Sequence, residues 1–212
     1  MYPTYARSER IADGTMHAVG VLGAITGAIV LIVWSLGTAT PGQIAAICVY
    51  GATLIATFVA SAFYHMTPWE GIRPLLRRFD HAAIYLKIAG TYTPLVVMIG
   101  SGFAYVILAI VWGLAVIGMT LKLFFWQTPG RFGPALYLIM GWLSLALVWS
   151  LWPVVPASVM ALIAIGGLLY TAGVPFYASE TLKFSTAIWH GFVVTASGCF
   201  FAAITIAMAT LT

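Results

Sequence analysis

The chain has 212 residues, of which 62% are hydrophobic and only 7% charged, with a net charge of +4. A soluble domain carries roughly 25% charged residues, so this composition excludes a soluble enzyme or binding module and points to an integral membrane protein. Nine basic residues in short segments fit membrane orientation better than a nucleic-acid partner, and none is expected.

The first fourteen residues, MYPTYARSERIADG, lack the apolar stretch and small-residue cleavage site of a secretory signal, so the amino terminus is expected to stay where it is made. Seven apolar runs follow, each near the roughly 20 residues needed to cross about 30 Å of hydrocarbon. They cover about 15–36, 42–66, 80–99, 103–124, 133–152, 156–176 and 186–210, with Pro41, Pro134 and Pro156 near helix starts, where a missing N–H costs nothing. No repeat or low-complexity stretch interrupts them, and TPWEGIRPLLRR at 67–78 is the longest loop expected. The expectation is an all-α, seven-transmembrane helix bundle occupying 1–212 as one domain. Cys48 and Cys199 fall within apolar runs, where a thiol behaves as a small hydrophobe, and no disulfide is expected.

Arg7 and Arg10 precede the first run, Arg73, Arg77 and Arg78 join the second to the third, Lys122 and Arg131 flank the end of the fourth, and Lys183 precedes the seventh. All lie on one face, and the opposite loops hold no Lys or Arg. The positive-inside rule then predicts a cytoplasmic amino terminus and an external carboxyl terminus.

The polar residues gather at that same face. His17 begins the first run, His65 ends the second, Asp80 and His81 open the third, and His190 lies one turn into the seventh. Ser61 and His65, four apart, share a helix face, which lets a hydroxyl assist an imidazole; equally, Ser61 could bond its own helix carbonyl and His65 reach headgroups. Asp80 is placed either as an N-cap or as a functional carboxylate, and it projects about 100° away from His81. Glu9, Asp13 and His17 share a face if the first helix begins early; taken alone they read as a solvated helix entrance with a His–Asp pair. Lys87 lies two turns inside the third helix, a functional candidate that could instead snorkel outward or pair with Asp80, seven residues before it.

Four motifs carry a resemblance: E-R-I-A-D-G-T-M-H (9–17), S-A-F-Y-H (61–65), D-H-A-A-I-Y-L-K-I-A-G-T-Y-T-P (80–94) and A-I-W-H-G-F-V (187–193). The chain resembles the bacterial hemolysin III family, related to the progestin and adiponectin receptors (PAQR), over nearly its whole length. The resemblance implies multi-pass residence in the bacterial cytoplasmic (inner) membrane, membrane lipids as partners and a zinc site at the cytoplasmic side. It aligns His65, Asp80 and His190 with the family's zinc site and assigns Thr186 to a position where the family has histidine; on chemical grounds Asp80 would serve directly or through a water, with His17 and His81 as substitutes. Lys87 also departs from the pattern, which has an apolar residue there.

On this reading His65 and His190 supply two ligands, Asp80 a third, and lipid-amide (ceramidase-like) hydrolysis would use Asp80 as proton acceptor beside Ser61. The acyl chain would lie between helices opened near Pro94. The alternative is a non-enzymatic sensor or regulator of membrane lipids with a degenerate metal site. A pore-forming haemolysin fits less well, because the outer half offers mainly Ser, Thr and Tyr beyond Lys87.

Overall fold

The computed structural model describes residues 6–125, 132–179 and 181–211, and the side chains of 132–134 are not described. Its helices are α1 (Arg7–Ser35), α2 (Pro41–Met66), α3 (Arg73–Ile99), α4 (Gly102–Phe124), α5 (Phe132–Trp142), a 3-10 segment (Leu143–Leu147), α6 (Val148–Leu151), α7 (Ala157–Ala178) and α8 (Ser185–Leu211). Among the described residues there is no strand. Six of these helices, α1 to α4, α7 and α8, are long and apolar enough to cross a membrane, and Ala135–Leu151 is a shorter apolar stretch. The bundle is that of a multi-pass membrane protein, since helices satisfy every backbone polar group internally.

Local chemistry fixes most helix ends. Thr40 Oγ1 accepts from the Gln43 N–H at 3.3 Å, and Gln43 Oε1 accepts from the Thr40 N–H at 2.9 Å, with Pro41 as the first helical residue. Ser101 caps α4 through the Ala104 N–H, just after Gly100 ends α3 with a φ of 68°. Cys48 and Cys199 are free thiols.

Two helix starts differ from the expected ones, and both differences matter for the site. Helix α1 begins at Arg7, because the Glu9 carboxylate accepts the Ala6 N–H at 2.9 Å and draws the polar segment into the first turn. Helix α3 begins at Arg73, so the second half of the expected 67–78 loop is helical and Asp80 lies two turns inside. The N-cap alternative for Asp80 is therefore wrong. An apolar run underestimates a helix whose first turns are Arg-rich, since arginine is a good helix former. Arg73 Nη2 bonds the Thr67 carbonyl at 2.6 Å and Arg78 Nη1 the Leu123 carbonyl at 3.1 Å, anchoring that extension.

The expected fifth span of 133–152 is interrupted. Between α5 and α6 the helix tightens into a 3-10 segment, and the Tyr92 hydroxyl on α3 donates to the freed carbonyls of Met140 (2.8 Å) and Gly141 (3.0 Å). A break of this kind is tolerated in hydrocarbon only when another group satisfies the backbone. Helix α3 itself runs through the buried Pro94 to Ile99 without interruption.

Helix α3 is the central column. It packs on α2 so closely that a Cβ at Gly90 would collide with the Thr53 hydroxyl, and Thr57 Oγ1 crosses to the Ala83 carbonyl at 2.9 Å. Two apolar clusters flank it. One is built around Tyr50, Leu54, Phe58 and Met208, the other around Tyr85, Val96, Val111 and Met140.

Candidate metal centre

The early start of α1 turns Glu9, Asp13 and His17 into one helix face directed at α8. The Glu9 carboxylate reaches the chain just before α8, where Oε1 accepts the Phe184 N–H at 2.8 Å. Phe184 holds a φ of 62°, a left-handed conformation unfavourable for a bulky side chain, and the Glu9 contact secures that turn. One turn deeper, Asp13 Oδ1 lies 2.5 Å from His190 Nδ1. An ionised carboxylate only accepts, so His190 Nδ1 carries the proton and Nε2 is left with its lone pair.

Asp13 is the hub of three imidazoles. Its Oδ2 lies 3.5 Å from His17 Nε2 and 3.7 Å from His65 Nδ1. Ring centroids are 4.3 Å apart for His17 and His190, 4.6 Å for His65 and His190, and 5.2 Å for His17 and His65. One ligand atom from each of Asp13, His17, His65 and His190 can be chosen so that all four lie within 4.8 Å of one another. Asp13, His17 and His190 are buried, and His65 is nearly so.

These residues fit a transition metal on two observations of the chain itself. His17 Nε2 is fully buried and makes no hydrogen bond, with only the Asp13 carboxylate near it at 3.5 Å, so its bonding capacity is left for a metal to use. Three nitrogens with a carboxylate form a donor set suited to zinc, and the Asp13–His190 bond has the form of the carboxylate contacts that orient metal-ligating histidines.

The other expected residues sit around this group without joining it. Asp80 Oδ2 lies 4.0 Å from His65 Nε2 and 3.3 Å from His81 Nδ1. His81 uses Nδ1 on the Arg77 carbonyl at 2.9 Å and Nε2 on the Tyr177 hydroxyl at 3.1 Å, so its ring is held by the helices around it. Ser61 is buried one turn from His65. Thr186 stands in the first turn of α8, where it lines a small pocket with Asp13 and His65. Asp13 was legible only as part of a helix entrance. The signal that could have found it was the i, i+4 spacing to His17 combined with its burial, which the sequence does not show.

The cluster lies at the edge of a cavity of about 2160 Å³ whose walls include His17, Ser61, His65, Asp80 and His190. The cavity continues between α3, α7 and the α5–α6 segment as far as Leu151, Met160 and Ile99. Polar groups at one end of a long, largely apolar chamber are suited to an amphiphile.

A membrane helix bundle with a buried Asp–His cluster is the class that fold and site define. Residues 5–201 match the family described as Haemolysin-III related, and the chain belongs to it. It is 34% identical over 194 residues to "Hemolysin-3" of Bacillus cereus, covering 91% of this chain and 89% of the relative. It is 32% identical over 194 residues to "Hemolysin-3 homolog" of Bacillus subtilis (strain 168), covering 91% of each. The human "Monocyte to macrophage differentiation factor" is 29% identical over 211 residues, covering 92% of this chain and 83% of the relative. The family expected from the four motifs is thus the observed one, including its reach to PAQR relatives.

Proposed function

We propose that this protein is a zinc-dependent lipid-amide hydrolase of the bacterial cytoplasmic membrane, acting in membrane lipid homeostasis. On this reading the chain crosses the membrane seven times, counting the interrupted fifth span, with the amino terminus in the cytoplasm and the carboxyl terminus outside, an orientation supported by the basic residues gathered at one face. The observation that carries the reading is the convergence of Asp13, His17, His65 and His190 within 4.8 Å at the wall of an amphiphile-sized cavity.

In this proposal His17, His65 and His190 hold the metal, and His17 supplies from α1 the third imidazole that Thr186 does not provide on α8. When bound, zinc supplies Lewis acidity to an amide carbonyl. Asp13 fixes the His190 ring by accepting its Nδ1 proton. Asp80 lines the cavity and takes up a proton at its carboxylate, while Ser61 offers a hydroxyl to the substrate's polar head. The apolar chamber accepts the acyl chain.

The test is metal analysis of the purified protein and its His190→Ala variant, with acyl release from a ceramide-type amide in proteoliposomes. Stoichiometric zinc and turnover, both lost in the variant, are expected. Protein without zinc overturns the reading. Zinc without turnover on lipid amides favours the sensor alternative, for which the cluster has a suitable form because it joins α1, α2 and α8. For the orientation, a reporter fused after Thr212 is expected to be active outside the cytoplasm, and activity confined to the cytoplasm overturns it.

A further inference from the structure

Lys87 is a buried cation that the mechanism does not use. It lies near the middle of α3, a membrane-crossing length, and only 7% of it is exposed. It neither snorkels to the helix end nor pairs with Asp80. Among the described residues no carboxylate lies within ion-pair distance of it, and its Nζ instead donates to Ser197 Oγ on α8 at 2.6 Å. Phe58 and Tyr170 place their rings 4.9 Å and 5.0 Å from Nζ. Lys87 and Tyr170 both line the large cavity.

Hydrogen-bond accounting shows what is left over. Ser197 gives its single proton to the Val193 carbonyl at 2.5 Å, so it accepts from both Lys87 and Tyr170, whose hydroxyl is 3.0 Å away. With its proton on a carbonyl and its side chain outside the cavity wall, Ser197 is not poised as a nucleophile with Lys87 as base. An ammonium has three donors, and Ser197 takes one. The other two meet aromatic faces and the cavity. A buried cation to which the described residues offer no anion is strongly unfavourable in a helix that crosses hydrocarbon.

We infer that Lys87, with Ser197 and Tyr170 behind it, is an anion site within the membrane that takes the carboxylate of a single-chain amphiphile such as a long-chain fatty acid. One uncompensated positive charge calls for a monoanion. A small ion would satisfy the charge, but it would leave the apolar walls beyond it unfilled. From Lys87 those walls continue along α3 through Leu95 to Ile99, about 18 Å at 1.5 Å per residue, with Leu151, Met160 and Ile163 opposite. That length suits an extended acyl chain. The site is separate from the metal cluster, because seven residues on α8, about 10 Å, divide Ser197 from His190.

The experiment measures binding of tritiated palmitate and tritiated methyl palmitate to the full chain in phosphatidylcholine nanodiscs, for the wild type, Lys87→Met and Lys87→Arg. Palmitate is expected to bind the wild type, to bind Lys87→Met at least about tenfold more weakly, and to bind Lys87→Arg nearly as well as the wild type. Methyl palmitate is expected to bind wild type and Lys87→Met alike. Equal palmitate affinity in wild type and Lys87→Met overturns the inference. So does displacement of palmitate when gluconate is exchanged for chloride, which would make the site one for a small anion. Chelator treatment is expected to leave palmitate bound; its loss would move the carboxylate to the metal and overturn the Lys87 site without touching the hydrolase reading. If Lys87→Met does not fold, the wild type decides: equal affinity for palmitate and its methyl ester overturns the proposal.

Discussion

His190 Nδ1 donates to Asp13 Oδ1 at 2.5 Å, joining the first helix to the last across 177 residues. This bond sets the His190 tautomer and leaves the Nε2 lone pair available to a metal. Asp13→Asn keeps an acceptor oxygen but removes the charge, and Asp13→Ala removes both. Both variants are expected to bind zinc more weakly, by roughly 10–100-fold, the usual loss on removing such an orienting partner. Competition with a zinc chelator of known affinity reads this directly, and unchanged affinity in Asp13→Ala would show that the carboxylate does not orient the ring.

Phe184 adopts a left-handed conformation, with φ at 62°, immediately before α8. A β-branched residue tolerates that region worse than phenylalanine, and glycine tolerates it freely. Phe184→Val is expected to destabilise the protein by roughly 1–3 kcal/mol, while Phe184→Gly should match or exceed the wild type. Thermal unfolding in detergent orders the three proteins, and a Phe184→Val midpoint equal to that of Phe184→Gly would remove the strain argument.

Hydropathy located the helices well because an apolar run and a membrane span are nearly the same object. It failed where a helix continues into water: α1 and α3 begin eight and seven residues before their expected starts, at Arg7 and Arg73, in polar segments held by Glu9 and Arg73. These shifts decide the site. They convert Asp13 from a helix entrance into the hub of three histidines, and Asp80 from a candidate cap into a wall residue beside His65. His65 and His190 were legible as candidate ligands from depth and from the family pattern, and the structure brings them into one group with Asp13 and His17. The break after α5 was not legible, since LSLAL contains neither Gly nor Pro and the break is stabilised by a distant tyrosine, Tyr92. Lys87 could be recognised as unusual, but which way it turned depended on Ser197, 110 residues away.

Gly90 sits where α2 and α3 approach most closely, and an added methyl would meet the Thr53 side chain. Thr53 bonds its own helix through the Tyr50 carbonyl at 2.9 Å, so it cannot swing away without losing that contact. Gly90→Ala is expected to cost roughly 1–3 kcal/mol by overpacking. Gly90→Ala combined with Thr53→Ala, which opens the space, is expected to recover most of the loss. Failure of the double variant to recover would place the cost in the backbone of α3 rather than at Thr53.

The reading of His17 as the imidazole that replaces a missing α8 ligand makes a reciprocal prediction. His17→Ala should lose stoichiometric zinc, because His65 and His190 then supply only two imidazoles beside the Asp13 carboxylate. Adding Thr186→His to that variant places a histidine four residues before His190, on the same face of α8, at the spacing by which two side chains grip one ion. The double variant is therefore expected to regain zinc, whereas Thr186→His alone should strengthen binding only modestly. Metal content after dialysis against a weak chelator separates the cases. A His17→Ala protein that keeps full zinc would show that the centre is built without α1, and a double variant that stays empty would show that Thr186 does not face the ligand group. Either result would require a different third ligand, with Asp80, 4.0 Å from His65 Nε2, the nearest remaining carboxylate.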